Sequence, residues 1–314
     1  MSRLIALVTA LFSLLVLGGC GTGTAQPAAG GAAAVTVKHA QGSTELKGTP
    51  QRVAVLDFGA LDTVRALGLT DKVVAVPKQN MPPMYSEFAD AKYTDAGTLF
   101  EPNLENLNKA RPDLVIVGFR SAKQYPELSK HWPTVDITYP GDLDFISGTE
   151  KSAGIIGQAF GKQAEVDKRI QELRGSLAAI KPAGAKAGKG LIVMTSAGKV
   201  TLHGPKSRFG LVHTQLGIGE AIGSVNADGH GQPASFEAIA QANPDVIFLV
   251  DRDAAVGQAG QNARQVIDNE LVRGTNAWKN DKVIPLDSTR WYITIHGLDN
   301  SKAMLDELAK ALSR

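Results

Sequence analysis

The chain has 314 residues, enough for two lobes that each bury a core, and 43% of them are hydrophobic while only 6% are aromatic. Its formal net charge is +2, so nothing global points to nucleic acid, and any electrostatic selectivity has to be local. A single cysteine leaves no partner for a disulfide and no cluster for zinc.

The N-terminus reads as a targeting segment rather than as part of a fold. Arg3 gives a positive start, residues 4–17 are an uncharged apolar run, and small residues follow. That run is shorter than the roughly 20 residues a spanning helix needs. Its end, Leu17-Gly18-Gly19-Cys20, resembles the lipobox of bacterial lipoproteins, which implies a signal peptide over 1–19 and a lipid on the thiol of Cys20. Residues 21–34, GTGTAQPAAGGAAA, offer almost nothing to bury and read as a flexible tether, so 20–34 would hold a soluble body at a membrane surface.

A first lobe is expected over 35–160. It opens with a strand at 35–39 and a turn, then RVAVLDF (52–58) as the first clear core strand. ALDTVRALG (60–68) predicts a short amphipathic helix ending at glycine, and KVVAV (72–76) the next strand. Residues 81–100 are loop-rich, and loops at strand ends are where ligand contacts usually sit. EPNLENLNKARPDLVIVGFR (101–120) then reads as helix, Pro-Asp turn, apolar strand and terminal arginine. A helix at 124–130, a strand at 134–138 and a helix at 143–160 complete the lobe.

Between the lobes lies a linking helix, 161–181. Val166, Ile170, Leu173, Leu177 and Ile180 recur at steps of four and three, which lines one apolar stripe along about 30 Å of helix. Gly157 and Gly161 punctuate it upstream, and KPAGAKAGKG follows, a run too rich in Gly, Pro and Lys to continue a helix. The expectation is a free-standing strut that stops near Lys181.

The second lobe, 182–314, begins with strands at 190–195 and 199–202, then the glycine-rich segment HGPKSRFG and a helix at 211–216. After GSVNADGHGQPAS comes QPASFEAIAQANPDVIFLVDR (232–252), which aligns with 101–120 without a gap at an offset of 132 residues. Glu105 pairs with Glu237, Pro112 with Pro244, Asp113 with Asp245, and Arg120 with Arg252. Two copies, one on each side of a strut, predict two α/β lobes of similar architecture facing each other. A helical region at 261–270, a strand at 282–286, the segment DSTRWYITIHG and a helix at 298–312 close the chain.

No catalytic constellation emerges. The mature region has no G-x-S-x-G, no P-loop and no H-E-x-x-H, and the six histidines are scattered without helical metal-ligand spacing. What remains is polar residues at strand ends and loops. Arg120 and Arg252 end the two repeat strands, and Arg208 sits in a Ser-Arg-Phe-Gly loop. Converging on one cleft, they would form a forked, permanently charged cage for an anion with several oxygens. Taken singly, each could instead pair with a nearby carboxylate, as Arg252 could between Asp251 and Asp253. His230, flanked by glycines, is poorly placed for core packing, and Tyr292 lies in RWYIT. A phenolate is a hard donor suited to Fe(III), with imidazole a compatible partner. Glu105 and Glu237 fall in the first turn of their helices after possible N-caps Asn103 and Ser235, where a carboxylate complements the helix terminus.

The lipobox, RVAVLDFGALDTVRALGL, the paired PDLVIVGFR and PDVIFLVDR, SRFGLVH, HGQPASFEAI and RWYITIHGLDN together resemble the binding lipoproteins for ferric catecholate siderophores, of the enterochelin and petrobactin type. These are class III substrate-binding proteins of ABC importers, and the resemblance spans essentially the whole mature chain. It implies two Rossmann-like lobes joined by one long helix, with the ligand between them and no chemical turnover. It further implies three cleft arginines at Arg120, Arg208 and Arg252, and a histidine and a tyrosine, His230 and Tyr292, completing the iron shell when the siderophore supplies only four oxygens. Glu105 and Glu237 would meet arginines of the permease. The expected protein is a monomeric, lipid-anchored receptor on the extracytoplasmic face of the cell membrane, with no cofactor beyond its iron-chelate cargo. A haem receptor using Tyr292 or His230 as axial ligand, and an extracytoplasmic enzyme acting on an anionic substrate, are the alternatives.

Overall fold

The apolar runs of the first half become a buried parallel sheet. In the computed structural model, which describes residues 34–223, 225 and 231–313, a hairpin (β1, Val35–His39; β2, Gly42–Leu46) precedes it. The sheet comprises β3 (Val53–Val55), β4 (Val73–Val76), β5 (Thr94–Asp95), β6 (Leu114–Val117) and β7 (Thr134–Asp136). Their order is β5-β4-β3-β6-β7, every pair parallel. β3 and β6 are buried at each position, as befits a sheet covered on both faces. Helices α1 (Phe58–Ala66), α2 (Leu104–Ala110), α3 (Tyr125–Leu128) and α4 (Phe145–Phe160) make the connections. The strand expected over 52–58 is cut short because Asp57 caps α1, accepting from the amide of Ala60 at 2.9 Å.

After α5 (Gln163–Lys186), a second sheet holds β8 (Lys189–Ser196), β9 (Lys199–His203), β10 (Gly219–Glu220), β11 (Gln232–Ala234), β12 (Val246–Asp251) and β13 (Val283–Pro285). The order is β11-β9-β8-β12-β13, with β10 also paired to β8. β12 runs parallel to β8 and β13, while β9 is antiparallel to β8 and β11. Its helices are α6 (Leu211–Thr214), α7 (Phe236–Ala242), α8 (Arg252–Ala255), α9 (Ala263–Ile267), α10 (Glu270–Arg273), α11 (Asn276–Lys279), α12 (Ser288–Tyr292) and α13 (Leu298–Leu312). DSTRWYITIHG thus contains α12, capped by Asp287.

The sequence repeat is a structural repeat. α2 and α7 both end in a left-handed residue, Arg111 at φ 47° and Asn243 at φ 43°. The aspartate of each Pro-Asp then staples its strand to the neighbouring one. The Asp113 amide donates to Arg52 O at 2.7 Å while its carboxylate accepts from the amides of Gln51 and Arg52. In the second lobe the Asp245 amide donates to Lys189 O at 2.7 Å and its carboxylate accepts from the Lys189 amide at 2.9 Å.

The linking helix departs from expectation in two ways. It is not free-standing: it packs on α4 and α13, burying Val166, Ile170, Leu173 and Ile180, with Leu177 half-buried. Nor does it stop near Lys181, for it runs past Pro182 to Lys186. An interior proline forfeits a hydrogen bond and costs about 3 kcal/mol. Tertiary packing offsets this, because Gly184 is buried against Leu216 so closely that a Cβ would stand 2.5 Å from Leu216 O. The closing helix α13 also crosses back, packing on α5, α1 and α4. Arg169 pairs with Asp299, the Asn300 amide donates to Asp62 at 2.9 Å, and the Tyr85 hydroxyl donates to the same buried carboxylate at 3.0 Å. Among the described residues no helix is long and apolar enough to cross a membrane.

Candidate functional site

In a parallel sheet the loops at the carboxyl ends of the strands converge, and ligands gather there. β6 ends in Gly118-Phe119-Arg120-Ser121. Gly118 has no room for a side chain, since a Cβ would lie 2.5 Å from Ile137. Phe119 adopts φ 48°, a strained conformation for a bulky residue. It is held there by the Thr138 hydroxyl, which accepts its amide at 2.8 Å, and by its ring, which stacks on His296 at 3.9 Å. His296 is in turn bonded to Asp57 at 2.8 Å, both side chains being 2% exposed. The turn thrusts Arg120 outward, where its guanidinium donates to Tyr292 O at 2.7 Å.

Arg252 opens α8, directly after the capping residue Asp251. Its guanidinium donates to Ser196 Oγ at 3.3 Å and meets Asp253 at 3.4 Å, so the carboxylate pairing open in the sequence is partly realised, with Asp253 rather than Asp251. Arg208 emerges from the turn after β9, where Gly210 is obligatory because a Cβ would sit 2.0 Å from Pro205 O. Burial and then the charge of Arg120 depress its basicity. All three guanidinium groups surround one phenol: their carbons lie 4.9 Å (Arg120), 5.3 Å (Arg208) and 6.0 Å (Arg252) from the centre of the Tyr292 ring. Burial pushes the Tyr292 phenol up, but a hydrogen bond from Arg252 and the charges of Arg120, Arg208 and Arg252 outweigh it and hold the phenol below its ordinary range. A phenol with a depressed pKa loses its proton to solvent more readily, leaving a phenolate oxygen that can bind a metal ion.

Arg120, Arg252 and Tyr292 line a cleft of 340 Å³ whose further walls include Phe58, Leu99, Phe100, Val256 and Ile293. Arg252 and Tyr292 also line an adjoining hollow of 320 Å³ with Ser196, Lys199 and Thr201. The structure therefore brings together Arg120, Arg208, Arg252 and Tyr292. His230 and Cys20 lie outside the described residues. Glu105 and Glu237 stand apart from this cluster, both exposed in the first turns of α2 and α7. Glu105 pairs with Lys109 at 2.7 Å; Glu237 is held by its own amide and by Ser235. Both carboxyls are thereby kept below the usual range. Sequence reasoning missed the Asp57–His296 pair, the Ser196-Lys199-Thr201 wall and Phe100, although Phe100 falls in the 81–100 stretch singled out as ligand-contacting loops.

Two Rossmann-like lobes joined by one long helix, with a cation-floored cleft at the carboxyl ends of their strands, define the class III substrate-binding fold. The chain belongs to the periplasmic binding protein family, whose model matches residues 53–289. It is 35% identical over 319 residues to the petrobactin-binding protein YclQ of Bacillus subtilis, covering 100% of both chains. It is 33% identical to the ferric-anguibactin-binding protein FatB of Vibrio anguillarum over 88% of this chain and 87% of that one. The crystal structure of YclQ superposes with a TM-score of 0.85 at 36% identity, over 90% of this chain and 99% of that one. The periplasmic catecholate-siderophore binding protein VctP of Vibrio cholerae superposes at 0.82 and 34% identity, over 88% and 99%. Two further relatives, both of Bacillus subtilis, are named as binding lipoproteins, one for an ABC transporter substrate and one for a siderophore.

Proposed function

We propose that this protein captures a ferric catecholate siderophore in the interlobe cleft and delivers it unchanged to an ABC permease. The observation that carries the reading is the gathering of Arg120, Arg208 and Arg252 around Tyr292: a ferric catecholate complex is an anion with several oxygens, and guanidinium forks match them. Tyr292, its phenol already depressed, and His230 supply the last two ligands when a tetradentate chelate leaves iron with two open positions. Relatives that bind petrobactin and ferric anguibactin support the cargo class. Lipid on Cys20 keeps the receptor at the membrane, and Glu105 and Glu237, at equivalent places in the repeat, dock the permease.

Titration of the purified protein with ferric catecholates tests this, read by tryptophan quenching and by the catecholate-to-iron charge-transfer band. Saturable binding and recovery of intact ligand are expected; conversion to a product would sink the reading. Replacing Tyr292 and His230 together is expected to weaken tetradentate complexes and shift their visible spectrum while sparing hexadentate ones, and equal loss for both would refute direct coordination. Glu105→Ala with Glu237→Ala is expected to leave ligand affinity unchanged, to lower the melting temperature only slightly through the lost helix-terminus carboxylates, and to lower uptake in cells; normal uptake would remove the docking role.

A further inference from the structure

Phe100 is 61% exposed, more than the other exposed large hydrophobic side chains among the described residues. Single exposed apolar residues are common and need no explanation. This one differs in lining the same cleft as Arg120, Arg252 and Tyr292, where Leu99, Phe58, Val256 and Ile293 continue an apolar surface beside it. Its backbone is pinned. Thr98 Oγ1 accepts the amides of Phe100 at 3.1 Å and Glu101 at 2.9 Å, and Gln124 Nε2 donates to Phe100 O at 2.6 Å. The loop closes on itself at Gly97, where a φ of +89° and a Glu101 O that would stand 2.6 Å from any added Cβ bar other residues. Gln124 follows Arg120 by four residues, so the loop that carries the aromatic is tied to the segment that carries the cation.

The adjoining hollow, which shares Arg252 and Tyr292 with this cleft, is of another character. Ser196, Lys199 and Thr201 present hydroxyls and an ammonium beside Arg252. A ligand spanning both hollows meets hydroxyls and an ammonium at one end, and at the other an apolar patch to which the first lobe gives Phe58, Leu99 and Phe100 and the second gives Val256 and Ile293. We infer that Phe100 reads the apolar linker joining the iron-binding groups of the chelate, a role that rests on the function proposed above. The charged oxygens occupy the arginine floor, leaving for Phe100 the part of the ligand that carries no charge. Because the backbone of this loop is already fixed, covering the ring costs only the freedom of its own side chain, so most of the free energy of its burial goes to affinity.

The test uses ferric complexes of two synthetic bis-catecholates with identical end groups, one joined by a polymethylene chain and one by an oligoether chain of equal length. Wild-type protein is expected to prefer the polymethylene complex. Phe100→Ser is expected to weaken that complex about fivefold and to leave the oligoether complex within about twofold, while F100W keeps the preference. Loss of equal size for both complexes, or a preference that persists in Phe100→Ser, would overturn the inference. Unchanged affinity with lowered uptake in cells would also overturn it, assigning Phe100 to the permease surface. A wild-type protein that binds both without preference ends this inference alone, whereas one that binds neither ends the proposed function with it.

Discussion

The two copies of the repeat share a backbone and differ in what holds their arginines. Arg252 is retained within its own lobe by Ser196 and Asp253. Arg120 reaches across, donating to the carbonyl of Tyr292, 172 residues away in sequence. Behind Arg120 lies a second crossing, His296 on Asp57, which supports the strained Phe119 from beneath. A repeated motif thus fixes where a cation leaves the sheet, but its surroundings decide whether that cation serves one lobe or joins two. The first-lobe copy is a connecting element as well as a binding one.

This contrast can be broken most forcefully at the buried crossing. His296→Ala leaves the Asp57 carboxylate enclosed without its ring partner, and is expected to lower the free energy of unfolding in urea by about 3 kcal/mol. Asp253→Ala, which touches the second-lobe arginine, should cost far less; equal costs would dissolve the distinction. At the next level, Arg120→Ala and Arg252→Ala should each weaken ferric catecholate binding by about 10- to 100-fold, as for hydrogen bonds to charged groups. Arg120→Ala should be the worse, because it also releases the Tyr292 carbonyl, and the ranking can be read from paired titrations. The smallest effect concerns the staples. The Lys189 amide and Asn276 keep the Asp245 carboxyl below its usual range. A depressed folded value means that its stabilisation is present above the ordinary carboxylate pKa of about 3.9 and is lost as pH falls through the folded value. At a partly exposed site this is worth no more than about 1 kcal/mol. Asp245→Asn should flatten the acid limb of the melting curve by that much and leave neutral-pH ligand binding unchanged.

Much of the frame was legible because its signals are local. The apolar runs at 53–55, 114–117 and 246–251, the Pro-Asp turns and the stripe from Val166 to Ile180 each declare themselves within a few residues. The end of α5 was not legible, because Pro182 and the glycines around it argue for a stop that only contact with Leu216 overrides. Among site residues, Arg120 and Arg252 stood out as strand-end charges, and Arg208 and Tyr292 through the motifs around them. His296 did not: a lone histidine in an apolar run carries no sign of the aspartate that receives it 239 residues earlier. Phe100 looked like any loop residue until the cleft gave it a wall to stand in.

By itself, then, the sequence determined two α/β halves, the helix between them and the points at which two cations leave their strands, because periodicity and turn chemistry act over short stretches of backbone. The tertiary structure alone decided that these cations meet Arg208 around a single phenol, that α13 returns to the first sheet's helices and that an exposed aromatic, Phe100, shares their cleft. Those outcomes depend on pairings between groups far apart in the chain. Which pairs form is set by the packing of whole lobes, and no local pattern encodes it.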